Sequence, residues 1–288
     1  LASGIWNAGP AAASAFAAPL VTWLIIQFNW RVSFIVTGFL GLVWVVFWLL
    51  YFRNNPSSHP SVSEMEKEHI SNGMISLSAK ENQLKASEIL KYRNVWGVFL
   101  GNFGFGYVFW TFATWLPGYL VAARHMELLR MGIFVMIPWL CALVAVLLGG
   151  WLSDYLVKKG YSNLNARKYV CALGLIIATA VIPAAFVNNV ILAEALLSIS
   201  ISGAMFNVSS NWVLPTLILP NAVGTLGGLL NVASNGAGIL APIVLGWVVS
   251  ATNSFTPAFI TAGTVSLISA CCYLFIIVDK DNISSSRR

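Results

Sequence analysis

The stretch Ala18-Pro19-Leu20-Val21, followed by Trp23 and then Phe34-Ile35-Val36-Thr37-Gly38, decides how this chain is organised. It returns as Ala241-Pro242-Ile243-Val244, followed by Trp247 and then Phe259-Ile260-Thr261-Ala262-Gly263. From Pro19 to Pro242 the offset is 223 residues and from Gly38 to Gly263 it is 225, so the copies keep step with a two-residue slip. Between them lie one polar connector and four apolar segments. The repeating unit is therefore four helices followed by this pair, and a repeat of that length marks one half of a large two-part protein. The first unit lacks its four, no initiator Met is present, and Leu1 opens almost inside a helix. On this reading the chain is the C-terminal eight helices of a twelve-helix protein.

Composition agrees. Hydrophobic residues make up 58% and charged residues 9%, where a soluble domain carries about 25% charged residues. Apolar runs near the length needed to cross a bilayer, about 20 residues, fall at roughly 4–27, 32–52, 94–122, 131–157, 166–187, 190–214, 223–250 and 255–278. The expected fold class is an all-α polytopic membrane protein with eight spans. The first run has no basic flank and no cleavage site before it, so it reads as a span and not as a signal peptide.

Of the 16 Lys and Arg, only Arg31, Arg124 and Arg130 fall on one side of these spans. The others group in the connector (Arg53, Lys67, Lys80, Lys85, Lys91, Arg93), in one short loop (Lys158, Lys159, Arg167, Lys168) and at the C-terminus (Lys280, Arg287, Arg288). The positive-inside rule then puts connector and C-terminus in the cytoplasm. The net charge of +6 reports topology; no basic stripe with interleaved aromatics points to nucleic acid. Four organisational segments follow: a helix pair at 1–52, a cytoplasmic linker at 53–93, six helices at 94–279 and a cytoplasmic tail at 280–288. Within the linker, Ser63 and Glu66 have capping-box spacing, which predicts a short surface helix to Ile70. Short loops at 28–31, 188–189 and 251–254 make consecutive helices antiparallel neighbours.

Small residues crowd some faces, among them Gly9, Ala13 and Ala17, then Gly97, Gly101, Gly104 and Gly106, then Gly224, Gly228, Gly236 and Gly238. Such residues let helix backbones approach where lipid offers no hydrophobic drive, so most are expected to be packing devices. Pro10, Pro19, Pro117, Pro138 and Pro242 are expected to kink their helices. Cys141, Cys171, Cys271 and Cys272 all lie in spans, with no disulfide framework implied.

Catalytic and metal-binding patterns are missing from the sequence. No His/Cys/carboxylate cluster has metal spacing, no Gly-rich phosphate loop occurs, His59, His69 and His125 sit in loops, and no Ser/His/Asp set appears. The expectation is a non-enzyme without cofactor or metal. Asp154 follows Gly149-Gly150-Trp151-Leu152-Ser153 at a helix end, with Lys158 and Lys159 just beyond. There a carboxylate can cap a neighbouring helix or pair with a cation and hold one conformation of the bundle closed. Glu194 lies about one turn inside the sixth span: a buried acid is a proton-site candidate, although an acid so near the interface is more often a solvated helix end. Uncharged polar residues are the substrate candidates: Asn102 and Tyr107 in the third span, a cluster read as mid-span in the sixth (Asn207, Ser209, Ser210, Asn211, Trp212), and Asn231 and Asn235 one turn apart in the seventh. Amides and hydroxyls can hydrogen-bond a polyhydroxylated ligand, and Trp212 and Tyr107 offer flat surfaces to its carbon skeleton. Taken singly, each could equally well serve interhelical hydrogen bonding.

Several segments, in order, resemble the anion:cation symporter family of the major facilitator superfamily, which includes bacterial permeases for galactonate, glucarate, hexuronates and tartrate. They are Asn7-Ala8-Gly9 with Ala18-Pro19, Trp30-Arg31 with Phe34 to Gly38, Thr114-Trp115-Leu116-Pro117-Gly118-Tyr119-Leu120, Gly149 to Asp154, and Gly227-Gly228-Leu229-Leu230-Asn231 with Ala241-Pro242. The resemblance makes the spans family helices 5–12 and Gly150 and Asp154 part of a conserved cytoplasmic gating motif. The family's galactonate-type pocket uses a Ser and a Trp on the tenth helix and an Asn on the eleventh, which look like Ser209, Trp212 and Asn231. Its Gln on the fifth helix has no counterpart, because Ala8-Gly9 is followed by Pro10. Phe105 stands where the vesicular glutamate branch places an Arg, which disfavours an amino-acid anion. The arginine that grips the carboxylate and the acids that carry the proton lie on the family's first and fourth helices, outside this chain.

The resemblance thus implies a secondary active transporter in the bacterial inner membrane. It would be a monomer importing a small organic anion, a sugar acid or a related hydroxy or dicarboxylic acid, together with H+ by alternating access. An exchanger or facilitator of the same fold is the alternative. A receptor or sensor would need a signalling module, for which the 53–93 connector is too short, and a channel would need a ring of charge or carbonyls.

Overall fold

The structure, a computed structural model, describes residues 2–55, 58–73 and 86–279. Lys80, Lys85 and the basic tail at 280–288 lie outside them. Helices α1 (Ala2–Gln27), α2 (Trp30–Tyr51), α3 (Glu64–Gly73), α4 (Ala86–Ile89), α5 (Arg93–Ala122), α6 (Leu128–Lys158), α7 (Asn163–Ala178), α8 (Val181–Ala184), α9 (Val190–Asn211), α10 (Leu214–Ile218), α11 (Val223–Thr252) and α12 (Thr256–Ile276) make up nearly all of it. Local chemistry sets many of their ends. Asn29, Ser162 and Asn189 cap α2, α7 and α9 by accepting amide hydrogens of Val32, Asn165, and Ile191 with Leu192, the usual role of a short polar side chain at a helix start. Ser63 accepts from the Glu66 amide at 3.3 Å, and α3 follows as the spacing predicts. Asn253, in the left-handed region at φ 51°, ends α11.

The contacts divide the chain into two units, Leu1–Leu20 with Leu84–Arg288, and Val21–Gln83. In the second unit α2 is apolar along its length and buries only Ser33. The hydroxyls of Ser33 and Thr37 bond back to the carbonyls of Trp30 and Ser33, at 2.7 and 2.8 Å. That leaves a helix whose side chains call for an apolar surrounding on nearly every face.

In the first unit, α6 packs on α9, α9 on α7, α7 on α12, α12 on α5 and α5 on α11. Backbone proximity is what the glycines provide. A Cβ on Gly101 would sit 2.4 Å from the Tyr273 ring, and Gly174 and Gly203 face one another so that a Cβ on either would meet the other's carbonyl at 2.6 or 2.5 Å. The expectation that most of the small residues are packing devices holds for Gly97, Gly101, Gly104 and Gly106 of α5 and for Gly238, where an added Cβ would meet the Trp110 ring at 2.7 Å, whereas Gly9, Gly224, Gly228 and Gly236 meet nothing within 4 Å.

Two spans are broken. The fifth ends as α7 at Ala178 and resumes as α8, and the sixth ends as α9 at Asn211 and resumes as α10. Each break falls where the ring of a proline four residues on, Pro183 or Pro215, would collide with a helical carbonyl, at Thr179 or Asn211. The Thr179 carbonyl instead accepts from Ile182, at 2.9 Å. The prolines expected to kink their helices, Pro10, Pro19, Pro117, Pro138 and Pro242, lie inside helices that run on uninterrupted.

Among the described residues, seven helical segments are long and apolar enough to cross a membrane, one fewer than the eight runs read from the sequence. The exception is α5, 30 residues long. Its glycines, Asn102, Tyr and Trp residues lower its hydropathy, yet half of its residues, among them Gly97, Gly101, Asn102, Gly104, Gly106 and Leu120, are buried against other helices. Protein neighbours relieve it of the need to match lipid. At the end of the bundle where α5 begins, the last carbonyls of α12 are gathered by cationic and amide donors: Arg93 to Phe275, Lys168 to Ile277 at 3.1 Å, and Asn94 to Val278 at 3.0 Å. Positive charge belongs at a helix C-terminus.

Candidate functional site

On α11, Gly224, Gly228, Asn231 and Asn235 follow at spacings of four, three and four, which places them on one stripe. Both glycines face open space and both asparagines are exposed. Each amide donates only along its own helix, Asn231 to Gly227 at 3.3 Å and Asn235 to Asn231 at 2.9 Å. Their carboxamide oxygens are left to accept. Beside this helix, where α5 closes on Ser234 through Gly106, Tyr107 is only 6% exposed.

Asn102 and Asn211 form a different arrangement. Asn102 Nδ2 donates to the Leu230 carbonyl (2.5 Å) and its Oδ1 accepts from Asn211 Nδ2 (2.7 Å). The Asn211 Oδ1 in turn accepts from the Tyr273 hydroxyl (2.6 Å). All three side chains are buried, so one chain of hydrogen bonds ties α11, α5, α9 and α12 together. Both amides are spent on other protein groups. Tyr273 went unnoticed in the sequence, since a tyrosine amid an apolar run carries no sign of its partner.

Trp212 stands directly after the last residue of α9. It falls in the break between α9 and α10, within the membrane-length segment Val190–Ile218. Trp212 packs edge-to-face on Trp6 of α1, ring centroids 6.2 Å apart, and Trp6 is otherwise 70% exposed. Trp6 is a further candidate, adjacent to Asn7-Ala8-Gly9.

Ser209 donates to the Phe206 carbonyl and lines a cavity of about 310 Å³ with Ala2, Ser3, Gly150, Asp154 and Arg167. Arg167 reaches Asp154 at 3.8 Å. A Cβ on Gly4 would meet the Val146 carbonyl at 3.1 Å and lies 3.8 Å from the Gly150 Cα. Gly150 and Asp154 thus stand where the start of α1 closes on the end of α6. Glu194, by contrast, is 5% exposed and neither oxygen has a partner among the described residues. The solvated helix end expected for it is not what the structure shows: the carboxyl is buried, and α6, α7 and α8 all pack on α9. Among the described residues no group of three His, Cys, Asp or Glu could hold a metal ion.

Comparison with known proteins adds a family and three relatives. The family model described as Major Facilitator Superfamily matches residues 1–242. A protein of Escherichia coli (strain K12) named "Probable galactarate/D-glucarate transporter GarP" is 34% identical over 289 residues, covering 96% of this chain and 65% of its own length. The "D-galactonate transporter" of Escherichia coli O6:H1 is 31% identical, covering 98% of this chain and 67% of its own. "Uncharacterized transporter YybO" of Bacillus subtilis is 30% identical, covering 98% and 66%. The chain spans about two thirds of the length of the curated relatives it matches.

Proposed function

The chain is a multi-pass membrane protein that belongs to the Major Facilitator Superfamily, and on that premise we propose that it serves secondary active transport of a small organic anion, a sugar acid or related hydroxy or dicarboxylic acid, in symport with H+. The observation that carries the reading is the open, uncharged polar stripe of α11, in a chain whose relatives are named as sugar-acid transporters. A polyhydroxylated anion needs donors and acceptors along its length more than it needs a deep apolar slot. Asn231 and Asn235 supply both, Tyr107 adds a hydroxyl, and Trp212, backed by Trp6, supplies a flat apolar wall. In this proposal Ser209 contacts cargo from the gate side. Asn102 and Asn211 act from behind, holding α5 and α9 in register with the residue next to Asn231.

Transport by alternating access requires that one end close while the other opens. Gly150 and Asp154 serve that closure: the backbone of α1 approaches at Gly4, and the Asp154–Arg167 pair sits on the cavity behind it. We read 1–52 as the end of one half, 53–93 as its cytoplasmic linker and 94–279 as the other half, in the bacterial inner membrane, with the cargo passing chemically unchanged and the protein acting as a monomer. Uptake of labelled sugar acids into proteoliposomes tests the reading, with protein expressed from its whole coding sequence and an inward proton gradient present or dissipated. Accumulation that collapses with the gradient supports symport. Exchange against internal substrate without any gradient response would make it an exchanger.

A further inference from the structure

We propose that Glu194 is a proton-binding site of this protein, loaded in the arrangement seen here and unloaded when its end of α9 opens to water. Glu194 is four residues into α9, about 6 Å along the helix, and 5% exposed. Neither of its oxygens has a hydrogen-bond partner among the described residues, and neither does the hydroxyl of Ser198, one turn further on the same face. An ionised carboxylate enclosed without donors is far more costly than a neutral carboxylic acid in the same place. The enclosure therefore selects the protonated form, and exposure of this end to water selects the ionised one. The step is a simple equilibrium in which carboxylate and one proton from the aqueous face give the carboxylic acid, and its reversal returns that proton.

Charge compensation from neighbours would defeat the argument, so the titratable groups of every helix packed on α9 matter. These are α5, α6, α7, α8 and α10. On α5, Tyr119 accepts from Arg124 Nε at 2.8 Å, Tyr107 lies three turns nearer the start, and Arg93 is at that start. On α6, Arg130 is exposed and lies over the Phe134 ring, Cys141 is exposed, and Asp154, Tyr155 and Lys158 occupy the far end. On α7, Arg167 faces Asp154, Lys168 is bonded to the Ile277 carbonyl, Tyr169 is exposed, and Cys171 is bonded to the Asn207 carbonyl. Helices α8 and α10 carry no titratable side chain. None of these groups bonds to Glu194.

The coupling part of this inference rests on the transport reading above; the protonation part does not. The test uses protein from the whole coding sequence in lipid. Infrared difference spectra of wild type against Glu194→Gln should show a protonated-carboxyl band at neutral pH that the variant loses. In proteoliposomes the variant should keep exchange of labelled sugar acid and lose accumulation driven by a proton gradient. Identical infrared spectra, or undiminished gradient-driven accumulation by Glu194→Gln, would overturn the proposal. If wild type neither exchanges nor accumulates, the transport reading fails and the infrared band alone decides Glu194. Should Glu194→Gln fold poorly, Glu194→Asp serves in its place: a displaced carboxyl band supports the assignment, and an unmoved band refutes it.

Discussion

Replacing Gly101 by Ala should destabilise this protein even though alanine is the better helix former. The added Cβ would stand 2.4 Å from Cε2 and Cζ of Tyr273, where ordinary contact begins at 3.4 Å, so the ring must retreat by about 1 Å. Tyr273 is fully buried and cannot retreat into open space. Its hydroxyl would also be drawn off Asn211 Oδ1, now 2.6 Å away, loosening the chain that runs on to Asn102 and Leu230. Overpacking of this kind costs about 1–3 kcal/mol, and an interhelical hydrogen bond inside a membrane is worth about 0.6 kcal/mol and up to about 1.7. Better helix propensity returns at most about 1 kcal/mol. A net loss of about 1–3 kcal/mol follows, read as an earlier midpoint when folded protein in mixed micelles is titrated with denaturing detergent. Gly118→Ala on the same helix is the control, since nothing lies within 4 Å of the added carbon, and it should be neutral or slightly stabilising. Tyr273→Phe, which removes only the hydrogen bond, should cost about 0.6 kcal/mol. If Gly101→Ala proves as stable as Gly118→Ala, the close crossing of α5 and α12 is not as described.

Asn231→Ala and Trp212→Ala should weaken substrate affinity in uptake assays more than they lower protein abundance, because Asn231 is exposed and bonded only to its own helix; unchanged affinity in both would return them to packing roles. Lys168→Met should cost about 1–2 kcal/mol by stripping a charged donor from the Ile277 and Leu274 carbonyls, and hydrogen exchange should quicken at residues 274–279 but not at the start of α12. Asp154→Asn should speed thiol labelling of Ser209→Cys in the cavity they share, because it weakens the 3.8 Å pair with Arg167. Equal labelling rates would separate Asp154 from closure.

The fold was legible because hydropathy and the internal repeat are carried by the chain alone. The eight apolar runs match the long helices closely, and the Ser63 cap was readable from spacing. The two breaks carry a sequence signal as well, in Pro183 and Pro215, each four residues past the carbonyl its ring would meet. Partnerships were the part the sequence withheld. Asn102, Asn211 and Tyr273 are separated by up to 171 residues, from 102 to 273, and only tertiary packing brings them into line. The same limit applied to Glu194: its position along a helix is local information, whereas its enclosure depends on which neighbours wrap that end.

The modest hydropathy of α5 bears on how the protein is made. A segment that partitions only weakly into lipid is a poor substrate for one-at-a-time insertion, and the helices that enclose α5 most closely, α11 and α12, emerge from the ribosome more than a hundred residues after it. The glycines and Asn102 of α5 therefore stay without the helices that cover them until that later stretch of chain has been made. Synthesis order and burial order run against each other here, which makes the delay after α5, more than any single contact in the finished bundle, the stage at which misassembly would begin.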